Sequence, residues 1–346
     1  GIAVELHEKR NHIGGNTYDY KDKHGVLIHK YGPHYFRTNS EKLLEWLSNF
    51  TSWMPGHYYV RAKIGDKLVP LPISLATISA IKEKAYSEAD FIQYLEQNTS
   101  KISDPKNSEE QCLSLVGKEL YDSIFKGYTS KQWNRSPADL DKSITARIPL
   151  RFNWDEKYLN AKYQVMPKNG YSSMMENILD HPEISINTKS NIDPRIILKN
   201  KNRYHAIVYT GPLDAFFNFK FGKLSYRSLK FQFRNFKMNY KQPCVQINYP
   251  NDFKYTRTVE IKHVTGQEIN STTISYEYPK SSGEPFYPII IDENLKKVRK
   301  YNDLVKMLKT GASPIHFIGR LAEFRYYDMD QVFLKSLKLA NKIKND

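Results

Sequence analysis

Apolar residues recur at helical spacing in two parts of the chain, residues 41–50 and 75–135. Side chains three or four positions apart share one face of a helix, so both parts are predicted to be largely helical. The polar stretch 101–107 interrupts the second part and predicts a linker between helices. A last helix is predicted over about 329–343.

A period of two replaces the helical spacing over residues 245–290. Apolar and polar side chains alternate there in three short segments, 245–249, 258–262 and 275–278. Asp252, Gly266 and Pro279 separate or end these segments, as turn-forming residues do between strands. The pattern predicts an antiparallel sheet.

Two apolar segments, residues 2–8 and 206–211, are predicted as buried strands. The first ends at Glu8 and the second in a tight turn, an arrangement found at the ligand edge of dinucleotide-binding α/β folds. In such folds an acidic residue follows the glycine-rich phosphate turn by about 20 residues. Counting back from Glu8 places that turn before residue 1, so we interpret this sequence, which begins with Gly, as partial.

Length and composition are those of a globular protein. The chain has 346 residues, of which 40% are apolar and 26% charged, which excludes a disordered or fibrous chain and predicts about two or three domains. No apolar run reaches the roughly 18 residues of a membrane span. Cys112 and Cys244 are too few for a disulfide framework or a metal site, which favours a reducing, cytoplasmic compartment.

The formal net charge of +15 favours an anionic partner. Nucleic acid, an acidic membrane surface and small phosphorylated ligands all qualify. The basic residues are scattered and show neither zinc-finger spacing nor an RNA-binding aromatic motif, so nucleic acid is disfavoured. Tyrosine is abundant, at 25 residues, and tyrosine with arginine suits sugars and pyrophosphates.

Several segments together resemble the flavin-dependent UDP-galactopyranose mutases. The most specific is Phe125–Trp133, which reads Phe-Lys-Gly-Tyr-Thr-Ser-Lys-Gln-Trp. The other segments follow in the family's order: Glu8–Asn16, His29–Phe36, Arg147–Arg151, Thr210–Asp214, Tyr255–Arg257 and Gly319–Asp330. The likeness runs from residue 2 to about 335.

The resemblance implies an α/β fold in three parts: a Rossmann-like FAD-binding domain whose first βα unit is missing from this sequence, a helical-bundle lobe and an antiparallel β-sheet domain. The implied boundaries are 1–70, 166–222 and 311–346 for the FAD domain, 71–144 for the helical lobe, and 145–165 with 223–310 for the sheet domain.

The resemblance further implies an enzyme that interconverts pyranose and furanose forms of a nucleotide sugar, the chemistry of galactofuranose and polysaccharide biosynthesis. FAD would act in its reduced form, with NADPH or a similar external reductant. In the mechanism proposed for the family, flavin N5 attacks the anomeric carbon, expels the nucleoside diphosphate and forms a flavin–sugar adduct. The sugar ring then opens and recloses through another hydroxyl.

Roles for individual residues follow from the same resemblance. Arg147 and Arg257 would grip the pyrophosphate, since a guanidinium fork bonds two oxygens at once, and Arg320 would stabilise the reduced flavin. The expected catalytic residues are Arg147, Arg257, Tyr287, Tyr326, His34 and Arg37. The expected substrate-binding residues are Tyr128, Thr129, Trp133, Tyr158, Asn248 and Asp328. The expected cofactor-binding residues are Glu8, Arg10, Gly14, Gly15, Asn16, Arg320 and Met329.

Four positions depart from the family's usual pattern. Arg37 stands where a second histidine is common, and Ser74, Ile124 and Asn134 replace an amide, an aromatic residue and a glycine. A permanent cation in place of a titratable ring changes the cleft beside the flavin. The hypothesis is a substrate other than plain UDP-galactose, such as an N-acetylated or deoxy hexose, on uridine or another nucleotide.

Two alternatives stay open at this stage. One is a flavin oxidoreductase of related fold, which would turn over NADPH or oxygen. The other is a basic binding protein without catalysis, if the glycine-rich turn is truly absent. The expected partner is a nucleotide sugar, with no nucleic acid, no membrane span and no metal, and a homodimer is possible.

Overall fold

A computed structural model describes residues 1–145, 149–311 and 313–345. The helices are α1 (Glu41–Ser48), α2 (Leu75–Lys82), α3 (Glu88–Asn98), α4 (Ser108–Leu120), α5 (Gly127–Trp133), α6 (Gly170–Leu179), α7 (Pro194–Asn200), α8 (Leu213–Phe216), α9 (Lys262–Thr265), α10 (Asp292–Leu308) and α11 (Met329–Asn345).

The strands are β1 (Val4–Glu8), β2 (Asp19–Lys21), β3 (Leu27–His29), β4 (Phe36–Thr38), β5 (Trp53–Pro55), β6 (Val60–Ile64), β7 (Lys67–Leu71), β8 (Tyr163–Pro167), β9 (Ile184–Thr188), β10 (Ile207–Tyr209), β11 (Tyr226–Phe236), β12 (Gln246–Asn248), β13 (Arg257–Val259), β14 (Thr272–Lys280), β15 (Tyr287–Pro288) and β16 (Ile315–Phe317).

The predicted helices are confirmed. Ser87 begins α3 by accepting a hydrogen bond from the Asp90 amide, while the Asp90 carboxylate accepts one from the Ser87 amide, which is a capping box. The linker over 101–107 is also confirmed, since α4 begins at Ser108. After α4 the backbone widens into a π-helical segment, Tyr121–Lys126, that leads directly into α5. Such segments often lie at functional sites.

A seven-stranded sheet stands beside the helices, in the order β15-β11-β14-β13-β12-β6-β7. Its neighbouring strands are antiparallel except β12 and β6, which pair in parallel. The predicted strands over 245–290 are confirmed as β12, β13 and β14. Strands β6 and β7, which the sequence places with the cofactor domain, are hydrogen-bonded into this sheet. The three-part division itself stays a prediction.

Two parallel strand pairs, β1 with β9 and β10 with β16, represent the Rossmann-like part. The prediction that 2–8 and 206–211 are buried strands is wrong, because Val4 is 46% and Val208 is 48% exposed. Each strand has one hydrogen-bonded neighbour within the described residues, and side chains of β1, β9 and β10 lie in solvent, whereas those of β16 are buried. The apolar composition therefore predicted the strands correctly but not their burial.

Two apolar cores hold the fold together. The larger core contains side chains from helices α1, α2, α3, α4 and α6 and from strands β6 and β7. Leu47, Ile78 and Phe91 are among them. The smaller one joins α8, α10 and β16 around Tyr301 and Phe317. Among the described residues, no helix combines the length and the apolar character that crossing a membrane requires.

Candidate functional site

A row of five side chains crosses the middle of the large sheet. Strand register places Asn248 opposite Arg257, Arg257 opposite Glu277, and Glu277 opposite Phe231, while Ala62 continues the row beyond Asn248. Residues directly opposite on neighbouring strands project from the same face. The small side chain of Ala62 at one end and the three polar residues in the middle make this face suitable for a polar ligand.

Arg257 and Glu277 form the charged centre of the row. The Arg257 Nε donates to Glu277 Oε2 at 2.7 Å, and the Glu277 side chain is 1% exposed. Burial opposes the Arg257 charge, but Glu277 raises the pKa of Arg257 further above its ordinary value. Burial raises the pKa of Glu277 while Arg257 lowers it, and the short pairing keeps both groups charged. The described part of the chain gives the two terminal nitrogens of Arg257 no hydrogen-bond partner.

Three phenol groups lie near this guanidinium. Tyr58, Tyr128 and Tyr287 are close enough for their fields to act on Arg257, and Tyr158 acts on both Tyr58 and Tyr128. Burial raises the pKa of Tyr58, Tyr128 and Tyr287, so each keeps its hydroxyl proton at neutral pH. Neutral phenols beside a cation can donate hydrogen bonds to an anion.

A loop between β3 and β4 covers the row from the N-terminal part of the chain. Gly32 has a φ of +91°, and a Cβ there would lie 3.1 Å from Phe231 Cε1 and 3.3 Å from Glu277 Oε1, so only glycine fits without strain. His34 Nδ1 lies 2.9 Å from the Gly32 carbonyl, which makes Nδ1 the donor and leaves Nε2 as an acceptor. Burial lowers the pKa of His34 to about 3, and His29 adds to the effect.

Arg37 of β4 and Asp328 connect this N-terminal part of the site to the segment before α11. The Arg37 Nη2 donates to Asp328 Oδ2 at 2.8 Å, and each side chain is about one third exposed. The pair therefore lies at the solvent-facing rim of the site. Met329, the next residue, begins α11 and packs against the larger apolar core.

Arg320 lies against two tyrosine rings. Its guanidinium carbon is 5.2 Å from the Tyr287 ring centre and 4.7 Å from that of Tyr326, and the two rings are nearly parallel at 6.3 Å. Arg320 also donates to the carbonyls of Phe286 and Tyr327. These contacts fix a cation close to Arg257 and His34, since its field reaches His34.

Helix α5 carries three of the predicted substrate-binding residues: Tyr128, the buried Thr129 and the half-buried Trp133. Asn134 ends the helix with a φ of +52°, the left-handed conformation that glycine usually supplies and asparagine tolerates. The departure at Asn134 thus preserves the local backbone.

A second cluster contains the predicted residues of the N-terminal strand. Glu8 accepts a hydrogen bond from the Arg10 amide at 2.8 Å, and Arg10 donates to Asn16 Oδ1 at 2.9 Å while its guanidinium lies 4.1 Å from the Tyr31 ring centre. Gly14 and Gly15 follow with positive φ. Arg10 is also paired with Glu284, across 2.7 Å between Arg10 Nη2 and Glu284 Oε1.

The two clusters are joined by aromatic contacts. Tyr31 lies 6.2 Å from Phe286, and Phe286 lies 5.9 Å from Phe231 of the sheet row. The chemistry of the donors fits a flavin dinucleotide along this line. A strand-end carboxylate and a turn of two glycines suit the ribose and its neighbouring phosphate at one end, and a neutral imidazole with a nearby guanidinium suits the flavin ring at the other.

The remaining positions singled out in the sequence lie away from the row or outside the described residues. Arg147 lies outside the described residues. Ile124 is buried in the larger core, and Ser74 begins α2 as its buried N-terminal cap, so both departures have structural roles. Among the described residues, no group of three His, Cys, Asp or Glu side chains could hold a metal ion.

Sequence reasoning missed two residues of the site. Glu277 faces Arg257 only through strand register, which no local motif encodes. Lys131 lies inside the most specific motif, yet its contacts are made with backbone carbonyls of a distant loop.

Comparison with known proteins gives consistent matches along the chain. A model of the family described as UDP-galactopyranose mutase matches residues 123–326, and a model described as NAD(P)-binding Rossmann-like domain matches residues 1–50. A Klebsiella pneumoniae protein described as "Probable UDP-galactopyranose mutase" is 38% identical over 99% of this chain and 88% of its own length. An Escherichia coli dTDP-fucopyranose mutase is 32% identical over 100% of this chain and 93% of its own length.

Solved structures agree on the fold. The crystal structure of a reduced UDP-galactopyranose mutase matches with a TM-score of 0.75 at 14% identity, over 98% of this chain and 90% of that one. A putrescine oxidase variant matches with a TM-score of 0.54 at 9% identity, over 100% of this chain and 93% of that one. The sequence and structure matches confirm the predicted fold class and the resemblance seen in the sequence.

Proposed function

The chain belongs to the UDP-galactopyranose mutase family, and we propose that it interconverts the pyranose and furanose forms of a nucleotide sugar. One observation carries the proposal: the buried Glu277 fixes the Arg257 guanidinium through Nε, and the neutral phenols Tyr58, Tyr128 and Tyr287 lie close enough for their fields to reach it. Such a centre suits a pyrophosphate that must leave the sugar and later return to it.

Several residues around Arg257 would bind that leaving group together. Arg257 would donate two parallel hydrogen bonds to the pyrophosphate, and Tyr128, Tyr158 and Tyr287 would add hydroxyl donors. Because Tyr128 and Tyr287 stay protonated, they add no negative charge that would repel the phosphate. Arg147, by resemblance, would supply a second cation.

The sugar end of the site would lie between His34, Arg320 and Tyr326. FAD bound here would supply, in its reduced form, the nucleophile that takes up the anomeric carbon. Neutral His34 offers Nε2 as a hydrogen-bond acceptor beside the reacting sugar. Arg320, held against two rings, would favour negative charge on the reduced ring. Glu8, Arg10 and Gly14–Asn16 would hold the adenosine and phosphate end.

The identity of the sugar is argued from Arg37. Of the four departures from the family pattern, Ser74, Ile124 and Asn134 have structural roles, which leaves Arg37 as the one that changes the rim of the site. A relative that is 38% identical is described as a UDP-galactopyranose mutase, and one that is 32% identical as a dTDP-fucopyranose mutase. We propose an N-acetylated or deoxy hexose on UDP or dTDP.

The test begins with the absorption spectrum of the purified protein, in which a flavin band is expected. The holoprotein is then reduced with dithionite under anaerobic conditions and given UDP-galactopyranose, UDP-N-acetylgalactosamine and dTDP-fucopyranose in separate assays. Chromatography should show a furanose product from at least one sugar, formed only by reduced protein and without net consumption of reductant.

Two results would contradict the proposal. Net consumption of NADPH or oxygen with a changed oxidation state of the product would indicate an oxidoreductase. Clear preference for UDP-galactopyranose would leave the mutase activity in place and remove the proposed sugar.

A further inference from the structure

Lys131 binds four carbonyl oxygens of one loop. Its ammonium group donates to the carbonyls of Asn251 and Phe253 at 2.9 Å each, to that of Tyr255 at 3.4 Å, and to that of Tyr249. An ammonium group has three protons, so four carbonyls within reach satisfy it fully and share it. The loop 249–255 is thus wrapped around a single side chain of α5.

The backbone of the same loop touches the start of α5. A Cβ on Gly127 would lie 2.4 Å from the Pro250 carbonyl oxygen, so glycine is required for this approach. Asn251 reaches back to the π-helical segment, with its Nδ2 3.5 Å from the Ser123 carbonyl. Lys131 therefore closes a contact that begins one helical turn earlier.

Arg227 of β11 holds the other end of α5. Its Nε donates to the Gln132 carbonyl at 2.7 Å and its Nη2 to the Lys131 carbonyl at 3.4 Å, while Nη1 donates to Ser281 Oγ at 2.8 Å. Carbonyls in the last turn of a helix lack partners within the helix, and Arg227 supplies them. Helix α5 is anchored to the sheet, and the loop 249–255 is anchored to α5.

The loop held by Lys131 connects two members of the sheet row. It leaves β12 directly after Asn248 and enters β13 at Arg257. Its position therefore sets the spacing between Arg257 and Tyr128 of α5. We propose that Lys131 is a positioning residue that fixes the substrate-binding face of α5 relative to Arg257, an inference that rests on the proposed function for its effect on nucleotide-sugar binding.

The charge of Lys131 is retained at neutral pH. Burial lowers the pKa of Lys131 to about 8, and Asp252 of the loop opposes this change. Among the described residues, Arg227 is a further charged group in contact with Lys131, and it bonds to the Lys131 carbonyl and not to the ammonium group. Tyr255, whose pKa is raised to about 12 by burial, stays neutral beside it. The ammonium form is thus the one that holds the loop.

The experiment compares Lys131→Met, Lys131→Arg and the control Lys126→Met in the flavin-loaded protein. Lys126 lies one turn earlier and is exposed; among the described residues its ammonium group pairs with Asp122 and lies 6.0 Å from the Tyr121 ring centre. Hydrogen–deuterium exchange of segments 127–133 and 249–257 reports on the contact without any substrate. Dissociation constants for UDP and dTDP, and KM and kcat for the preferred sugar, report on its effect.

In Lys131→Met we expect amide exchange about tenfold faster in both segments, because the charge-assisted hydrogen bonds that hold the loop are lost. The dissociation constants for the nucleotides and KM should rise about tenfold, with kcat within about threefold of the wild type. Lys131→Arg, which keeps a cationic donor, should restore most of the exchange protection and most of the binding. Lys126→Met should match the wild type.

Unchanged amide exchange in Lys131→Met would overturn the proposal. If the wild-type protein binds nucleotide, faster exchange in Lys131→Met with unchanged nucleotide binding would also overturn it. If Lys131→Met loses its flavin and does not fold, Lys131→Arg provides the test. Loss of nucleotide binding in Lys131→Arg with normal amide exchange would overturn the proposal. A wild-type protein that binds neither nucleotide refutes the proposed function instead, and the exchange data still decide the contact.

Discussion

Arg257 Nε donates to Glu277 Oε2 at 2.7 Å, and strand register places the two residues directly opposite each other on β13 and β14. The carboxylate occupies the Nε side of the guanidinium and leaves its terminal fork directed elsewhere. A buried anion thereby orients the cation without occupying the two nitrogens that a phosphate needs. The pair explains how Arg257 remains charged and oriented at a largely buried position.

Glu277→Gln should weaken both stability and activity. The amide preserves the shape of the side chain but leaves the Arg257 charge uncompensated, which costs about 3 kcal/mol for a buried pair. Urea unfolding of the flavin-loaded protein measures the stability, and kcat/KM is expected to fall about a hundredfold. Glu268→Gln, at an exposed position, serves as the control and should change neither. Equal stability of the two variants would refute a structural role for the pair.

Arg257→Ala should abolish most of the activity while the flavin remains bound. The substitution removes the phosphate-binding fork, but Arg257 lies on the sheet and not in the N-terminal cluster proposed for the cofactor. Arg257→Lys should recover little, because an ammonium group cannot bond two oxygens in parallel. The flavin absorbance and the turnover rate are measured together. Arg234→Ala, on an exposed part of β11, is the control; full turnover by Arg257→Ala would argue strongly against the assignment.

Arg37→His, which restores the residue common in the family, should change the choice of sugar. We compare kcat/KM for UDP-galactopyranose with kcat/KM for the sugar that the wild-type protein prefers. The ratio of the first to the second should rise about tenfold, which is the discrimination that a few changed contacts provide. Stability should change by less than about 1 kcal/mol, since the Arg37–Asp328 pair is partly exposed. Arg61→His, which breaks a similar pair with Glu156, should leave the ratio unchanged. An unchanged ratio in Arg37→His would exclude Arg37 as the determinant.

The free energy of unfolding should rise between pH 4 and pH 7. Burial lowers the pKa of His29 and of His34 to about 3 in the folded protein, against about 6.5 in the unfolded chain. Between these values the unfolded chain binds protons that the folded protein does not, so lowering the pH favours unfolding. His34→Gln should reduce this slope by about 1 kcal/mol per pH unit.

Urea unfolding at several pH values measures the slope. The exposed His24 provides the matched variant, because His24→Gln removes a histidine whose surroundings differ little between the folded and unfolded chains. A slope that falls equally in both variants would contradict burial as its cause.

The elements were predictable where their signals are local. Capping residues such as Ser87 and helical spacing give the helices, and alternation gives β12 to β14. Burial of β1 and β10 was not predictable, because an apolar sequence specifies a strand but not which neighbours cover it. The sheet row could not be read either, since register between distant strands depends on the whole fold.

The site shows the same division. Arg257 and Tyr128 belong to motifs and were predicted from them, and the structure brings them together. Glu277 was missed because a glutamate in an alternating strand normally faces solvent. Lys131 was missed because its partners are carbonyl oxygens, which every residue type carries, so no side chain in the sequence signals the contact.

The row across the large sheet also determines when, during folding, the protein becomes able to bind its ligand. Ala62 and Asn248 are neighbours in the row but lie far apart in the sequence, and they meet only when β6 pairs in parallel with β12. Loop closure over so long a separation is slow, so contacts of this kind form late. During synthesis helices α1 to α4 can condense early, but the charged pocket forms late. Glu277 lies on β14, and Tyr287 and Arg320 follow it in the chain, so the pocket is complete only after all three have left the ribosome.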